Sequence, residues 1–171
     1  MHYMKRCLIL LVLCAMTSVA VAEPDEPRRE PQRTVAKSDA VDALHSFQDD
    51  PLNGLPAAQI FTKYVKEDGE YHISMTERLV PWMVNRQVPQ RTKAILLSAF
   101  VAGNFQAQLD DESKLDDTAA GLRYTVEVYE KLKQEDPTLM VAELDELVSA
   151  KEKGNLDSAI DRMTGDDGGD E

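Results

Sequence analysis

Cysteine is confined to the first 22 positions of this 171-residue chain, at Cys7 and Cys14. The remainder therefore has no disulfide, no thiol nucleophile and no cysteine-ligated metal, and packing alone must hold it together. Histidine is nearly as scarce. Beyond His2 there are only His45 and His72, in neither an H-x-x-x-H nor an H-E-x-x-H arrangement, so a zinc hydrolase site has no support. The chain also lacks G-x-S-x-G, S-x-x-K and any glycine-rich phosphate loop. No apolar run after residue 22 reaches membrane-spanning length. Carboxylates are the exception to this scarcity. With 31 acids present, a pair of the glycosidase type would arise by chance and carries no signal alone.

The N-terminus has the pattern of a secretory leader. Lys5 and Arg6 form a basic region, Leu8 to Ala15 an unbroken apolar run, and Ala20-Val21-Ala22 a small-x-small cleavage site. Leu13, before Cys14, departs from the small residue that a lipoprotein acceptor site requires, so cleavage is expected after Ala22. The expectation is an exported protein, periplasmic or extracellular. Residues 23–171 suffice for one domain with a real core and are too few for two. The formal charge is −12 for the whole chain, and residues 1–22 contain bases but no acid, so the exported form is more acidic still. Such a surface repels nucleic acid and anionic lipid and favours cationic partners.

Two segments look unstructured by composition. Residues 23–37 combine Pro24, Pro27 and Pro31 with mixed charge and little apolar area, which predicts an extended arm. Residues 164–171 form an acidic Gly-Asp tail without the spacing of a calcium-binding EF-hand loop.

Between them, over 38–163, the apolar period is helical. Ser38 is placed to cap a first helix carrying Val41, Leu44 and Phe47, with Asp49-Asp50-Pro51 as its stop and His45 beside its stripe as a partly buried structural residue. Pro56 can start a second helix with Ile60, Tyr64 and Val65 inward, ending near Gly69. Residues 70–88 are ambiguous, with a brief extended piece at Tyr71-His72-Ile73 and a break at Pro81. Residues 90–109 are the clearest core element: from Ala94 to Ala102 only Ser98 is polar, and a helix apolar on every side is expected to be surrounded by protein. Gly103 suits either a close helix approach or a plain mid-helix glycine. Asp116-Asp117-Thr118 opens the next helix, striped with Leu122, Val126, Tyr129 and Leu132. Pro137 is then expected at the start of a helix with Met140, Leu144, Leu147 and Val148 inward and Gly154 at its end. A last short helix carries Leu156, Ile160 and Met163.

Tyr129-Glu130-Lys131-Leu132 with Asp136-Pro137, and Gly154-Asn155-Leu156, look like fragments of a tetratricopeptide repeat. Pro137 and Gly154 stand about two helical turns too far apart for that repeat, and a solenoid needs several copies. The pattern supports stacked helical hairpins and not that family. The expected fold is therefore an all-α, single-domain bundle of about five helices with disordered ends.

Val80-Pro81-Trp82-Met83-Val84 holds the single tryptophan, with Arg78 and Arg86 on either side. Trp82 reads first as a core plug. It reads second as an aromatic anchor, which makes Trp82, Arg78 and Arg86 the partner-binding candidates. The expected function is that of a non-catalytic, exported interaction protein. It would bind a protein or peptide through an inter-helix groove, or a basic patch through its acidic face, without metal or cofactor. The alternatives are a small exported hydrolase with a carboxylate acid/base site and a helical bundle holding a small ligand in an apolar cavity.

Overall fold

The longest helix, α3 (Gln90–Asp110), is the hub on which the elements before it and the helix after it pack, while the last two helices are carried by that following helix. The computed structural model describes residues 34–113 and 115–165. Over these the remaining helices are α1 (Lys37–Asp49), α2 (Leu55–Asp68), α4 (Thr118–Glu135), α5 (Ala142–Glu152) and α6 (Leu156–Thr164), and no strand is present. The leader at 1–22, the arm at 23–33 and the tail from 166 onward lie outside the described residues. Consecutive helices pair as α1 with α2, α3 with α4, and α5 with α6; α2 joins the first pair to α3, and α4 carries the last pair. The domain is an all-helical stack of hairpins.

The most extensive contact is between α3 and α4, and two glycines make it possible. A Cβ added at Gly103 would stand 2.6 Å from the Ala120 carbonyl oxygen, and one at Gly121 would stand 2.8 Å from that of Phe100. Close approach is therefore the role of Gly103. Around this crossing Leu96, Phe100, Ala102, Phe105, Leu122, Val126 and Tyr129 are fully buried. The expected stripe of α4 holds throughout, and Asp117 caps it by accepting the Ala120 N–H at 2.8 Å.

Where the elements differ from the sequence expectation, a larger packing partner or a local turn is the reason. The domain begins before residue 38: Val35 packs on the core, and α1 starts at Lys37 from Ala36, with Ser38 inside the helix rather than capping it. Leu44 and Phe47 are buried as expected, but His45 is exposed. Helix α2 turns Ala58, Phe61 and Tyr64 inward and leaves Ile60 41 % exposed. A period of 3.6 residues allows both stripes. The aromatic contacts choose between them, because Phe61 meets Phe47 edge-on at 5.6 Å and Tyr64 lies 6.0 Å from Phe105.

Pro137 does not begin a helix. The Asp136 carboxylate accepts from the Thr138 N–H at 3.0 Å and its hydroxyl at 2.6 Å, which closes a turn. The chain then runs extended, with Leu139 and Val141 buried and Met140 between them 70 % exposed. Val141 donates its N–H to the Tyr129 hydroxyl at 2.9 Å, and α5 starts only at Ala142. Gly154 ends α5 with φ of 72°; its N–H reaches Lys151 O at 3.0 Å, and that of Asn155 reaches Ala150 O at 2.9 Å. This pair of bonds is a Schellman motif.

The ambiguous stretch between α2 and α3 is irregular but tethered. Tyr71 packs edge-on against Phe105 at 4.8 Å. The carboxamide of buried Gln108 accepts the His72 N–H at 3.3 Å and donates to the His72 carbonyl at 2.9 Å, as a neighbouring strand would. Gln108 also donates to Asn104 Oδ1 at 2.6 Å, an oxygen that accepts the Asp117 N–H as well at 3.0 Å. Asn104 in turn donates to Asp116 at 2.5 Å, and Asp116 accepts the Ser74 N–H at 3.0 Å. Further on, Pro81–Met83 form one 3₁₀ turn, and the buried Lys93 ammonium holds its end by donating to Met83 O at 2.9 Å.

Candidate functional site

The three residues that the sequence offered for partner binding do not form a surface together. Trp82 is fully buried in the 3₁₀ turn, so its role is the core plug and not an exposed anchor. Its indole N–H has no partner among the described residues. Arg78 and Arg86 are exposed. Arg78 lines a 320 Å³ hollow between α5 and α6, beside Glu143 and Glu146, and Arg86 is not part of that lining. Exposed apolar area in this segment belongs to Met83 and Val84, which are 37 % and 57 % exposed.

A more apolar opening lies elsewhere, between α2 and α3, with a volume of 520 Å³. Its α2 wall presents Leu55, Ala58 and Thr62, and its α3 wall presents Ala94, Leu97 and Ser98. Lys63, Lys66 and Glu67 stand along the α2 edge. The expectation that α3 is covered on every side therefore fails along one face, where Ala94, Leu97 and Ser98 are only half-buried. The physical reason lies in the pairing of the helices. Helix α4 covers the side of α3 that carries Phe100 and Gly103, α2 covers part of another, and no further described helix reaches the notch between α2 and α3.

This groove was hidden in a run that reads as plain core. The available signal was small residues four apart on both helices, Ala58 with Thr62 and Ala94 with Ser98, and the lone hydroxyl at Ser98 within an apolar segment.

No described carboxylate is fully buried, and the half-buried ones hold the fold together. Asp116 and Asp117 bind the Asn104 network and the start of α4. Glu130 pairs with Lys151 at 2.6 Å. Asp145 pairs with Lys133 at 2.6 Å and accepts the Tyr129 hydroxyl at 3.0 Å. Glu67 is the only acid in the groove lining. His45 and His72 are both exposed, and no described cluster of His, Cys, Asp or Glu is composed to hold a metal ion.

The large ionisation shifts belong to tyrosines. Burial pushes the Tyr129 hydroxyl up to about 12; the Val141 N–H opposes that shift and the Asp145 carboxylate adds to it. Burial, with Glu127 and Asp49 nearby, likewise pushes Tyr124 up to about 12. Tyr64 is raised further by burial and by its bond to Asp68. These hydroxyls stay protonated near neutrality and are not poised for acid–base work there.

No protein-family model, no curated protein and no solved structure matches this chain.

Proposed function

We propose that this is an exported, non-catalytic helical domain that binds a protein or peptide in the groove between α2 and α3. The observation that carries the reading is the 520 Å³ apolar groove over a closed core. Grooves between helices are common seats for peptide partners, and this one offers an apolar floor with polar edges. The reading moves the site from Trp82 to residues such as Leu55, Ala58, Ala94, Leu97 and Ser98. Against the hydrolase alternative stands the occupation of each half-buried carboxylate by a structural partner. Export rests on the leader pattern at 1–22.

The test is a selection of random displayed peptides on the full chain, with Thr62→Trp as counter-target. Thr62 is exposed on the groove wall, so the indole fills the groove without entering the core. Peptides that bind the unmodified chain and fail on the variant are the expected outcome. Equal binding to both moves the site elsewhere, and the absence of any enriched peptide, together with turnover of a glycan or peptide substrate, would replace the binding reading with the enzyme.

A further inference from the structure

The groove has the features of a seat for one kind of peptide. Its walls are helices, whose backbone N–H and C=O groups are already spent on their own ladders. An extended peptide laid there would hold its own backbone groups against Leu55, Ala58, Ala94 and Leu97 with nothing to bond. A helix brings its backbone bonds with it. The small side chains of Ala58 and Thr62 on one wall and Ala94 and Ser98 on the other let a third helix sit close, with Leu55 and Leu97 as the bulkier contacts. From Leu55 to Glu67 the α2 wall is about 18 Å long at 1.5 Å per residue, so an occupant of three to four turns spans it.

The two edges of the groove differ in charge. The α2 edge carries Lys63 and Lys66, three positions apart and so neighbours on one face, followed by Glu67. The α3 edge carries no ionisable side chain from Ala94 to Leu109, and Lys93 is buried on Met83 O. Lys63 already has an interaction within the domain, whereas Lys66 is exposed. In a chain of net charge −12, the two lysines ahead of Glu67 make this the basic edge of the groove.

We infer that the occupant is an amphipathic helix carrying carboxylates along one edge of its apolar face, docked with that edge towards Lys63 and Lys66. This deepens the groove reading and rests on it. The carboxylates set the orientation, because the opposite edge of the groove has no charge to offer. The rest of the partner is neutral or basic, since the net charge of −12 on the chain as a whole repels further negative charge.

The experiment uses three end-blocked peptides of about 16 residues, four turns long, sharing one leucine face. They differ only along one edge, which carries Glu, Gln or Lys. Each is titrated into the full chain by fluorescence anisotropy at low and high salt, and then into Lys66→Glu and Thr62→Trp. The Glu-edged peptide is expected to bind about fivefold more tightly than the Lys-edged one at low salt, a preference that salt reduces. Lys66→Glu should abolish or reverse that preference, and Thr62→Trp should weaken all three peptides alike. Equal binding of the three, or preference for Lys, with loss in Thr62→Trp, would overturn the acidic edge and leave the groove reading standing. Binding by none of them would overturn the helix itself, and the displayed-peptide selection then decides the groove separately.

Discussion

Gly103 on α3 and Gly121 on α4 clear a single crossing from its two sides, each lying where a side chain would strike the opposite helix's backbone. Alanine normally favours a helix over glycine by about 1 kcal/mol. Here the obstacles are the carbonyls of Ala120 and Phe100, which cannot rotate aside. Gly103→Ala and Gly121→Ala are each expected to destabilise by about 1–3 kcal/mol despite the gain in helix propensity. Urea denaturation measures this, and an increase in stability at either site would mean that the helices cross less closely.

Leu96 and Phe100 are both fully buried beside that crossing. Leu96→Ala and Phe100→Ala should each cost about 2–5 kcal/mol through lost transfer energy and the remaining cavity. Losses below about 1 kcal/mol at both positions would place α3 at the periphery.

Tyr129 and Tyr124 offer a contrast of two buried hydroxyls. That of Tyr129 accepts from Val141 and donates to Asp145, while that of Tyr124 has no partner among the described residues. Tyr129→Phe should cost about 1–3 kcal/mol and loosen the start of α5, whereas Tyr124→Phe should be neutral or slightly stabilising. Both phenols are held near 12 in the fold, against about 10 in an unfolded chain. As pH rises past about 10 the unfolded chain loses protons that the folded one keeps, so stability falls across that interval, and these groups contribute no slope below it. Alkaline denaturation of the parent and Tyr124→Phe tests the sign: the variant should show the shallower fall.

Asn104 is the hub of the polar cluster under the loop. Its loss takes one partner each from the Gln108 amide, the Asp117 N–H and the Asp116 carboxylate at once. Asn104→Ala should therefore cost about 2–4 kcal/mol, whereas removing the side chain of partly exposed Gln106 should cost less than about 0.5 kcal/mol. Hydrogen exchange at His72 and Ser74 should rise in the first variant alone.

The leader pattern makes one further forecast, about processing. Mass spectrometry of the exported form should find Glu23 at its N-terminus. Recovery of only the full-length chain from the cytoplasm would refute it.

The helices that were legible in the sequence are those whose signals agree. In α4 the Asp117 cap, the stripe from Leu122 to Leu132 and the stop at Asp136 all point the same way. Helix α2 was legible in its limits but not in its face, because Ile60 and Phe61 both fit the period and only contact with Phe47 and Phe105 separates them. Pro137 misled because a proline that can begin a helix also suits an Asx turn. The groove was not legible at all. Ala94, Leu97 and Ser98 have the composition of core, and whether such a face is covered depends on how many helices arrive from distant parts of the chain.

The passage from Gly69 to Pro89 is long for a connection without regular structure, and such passages are usually where a protein yields first. This one is moored at both ends, by Gln108 and Asp116 near its start and by Lys93 near its finish. Between the first mooring and the buried pair Leu79 and Val80, exposed Met75 stands just ahead of a turn in which the Thr76 carbonyl accepts the N–H groups of Leu79 and Val80, each at 3.0 Å. Extra residues inserted beside Met75 would enlarge an outward bow while the spacing of α2 and α3, and with it the width of the groove they enclose, stayed as it is. An epitope or a fluorophore carrier grafted at that point would report on the domain without touching the place where a partner would sit.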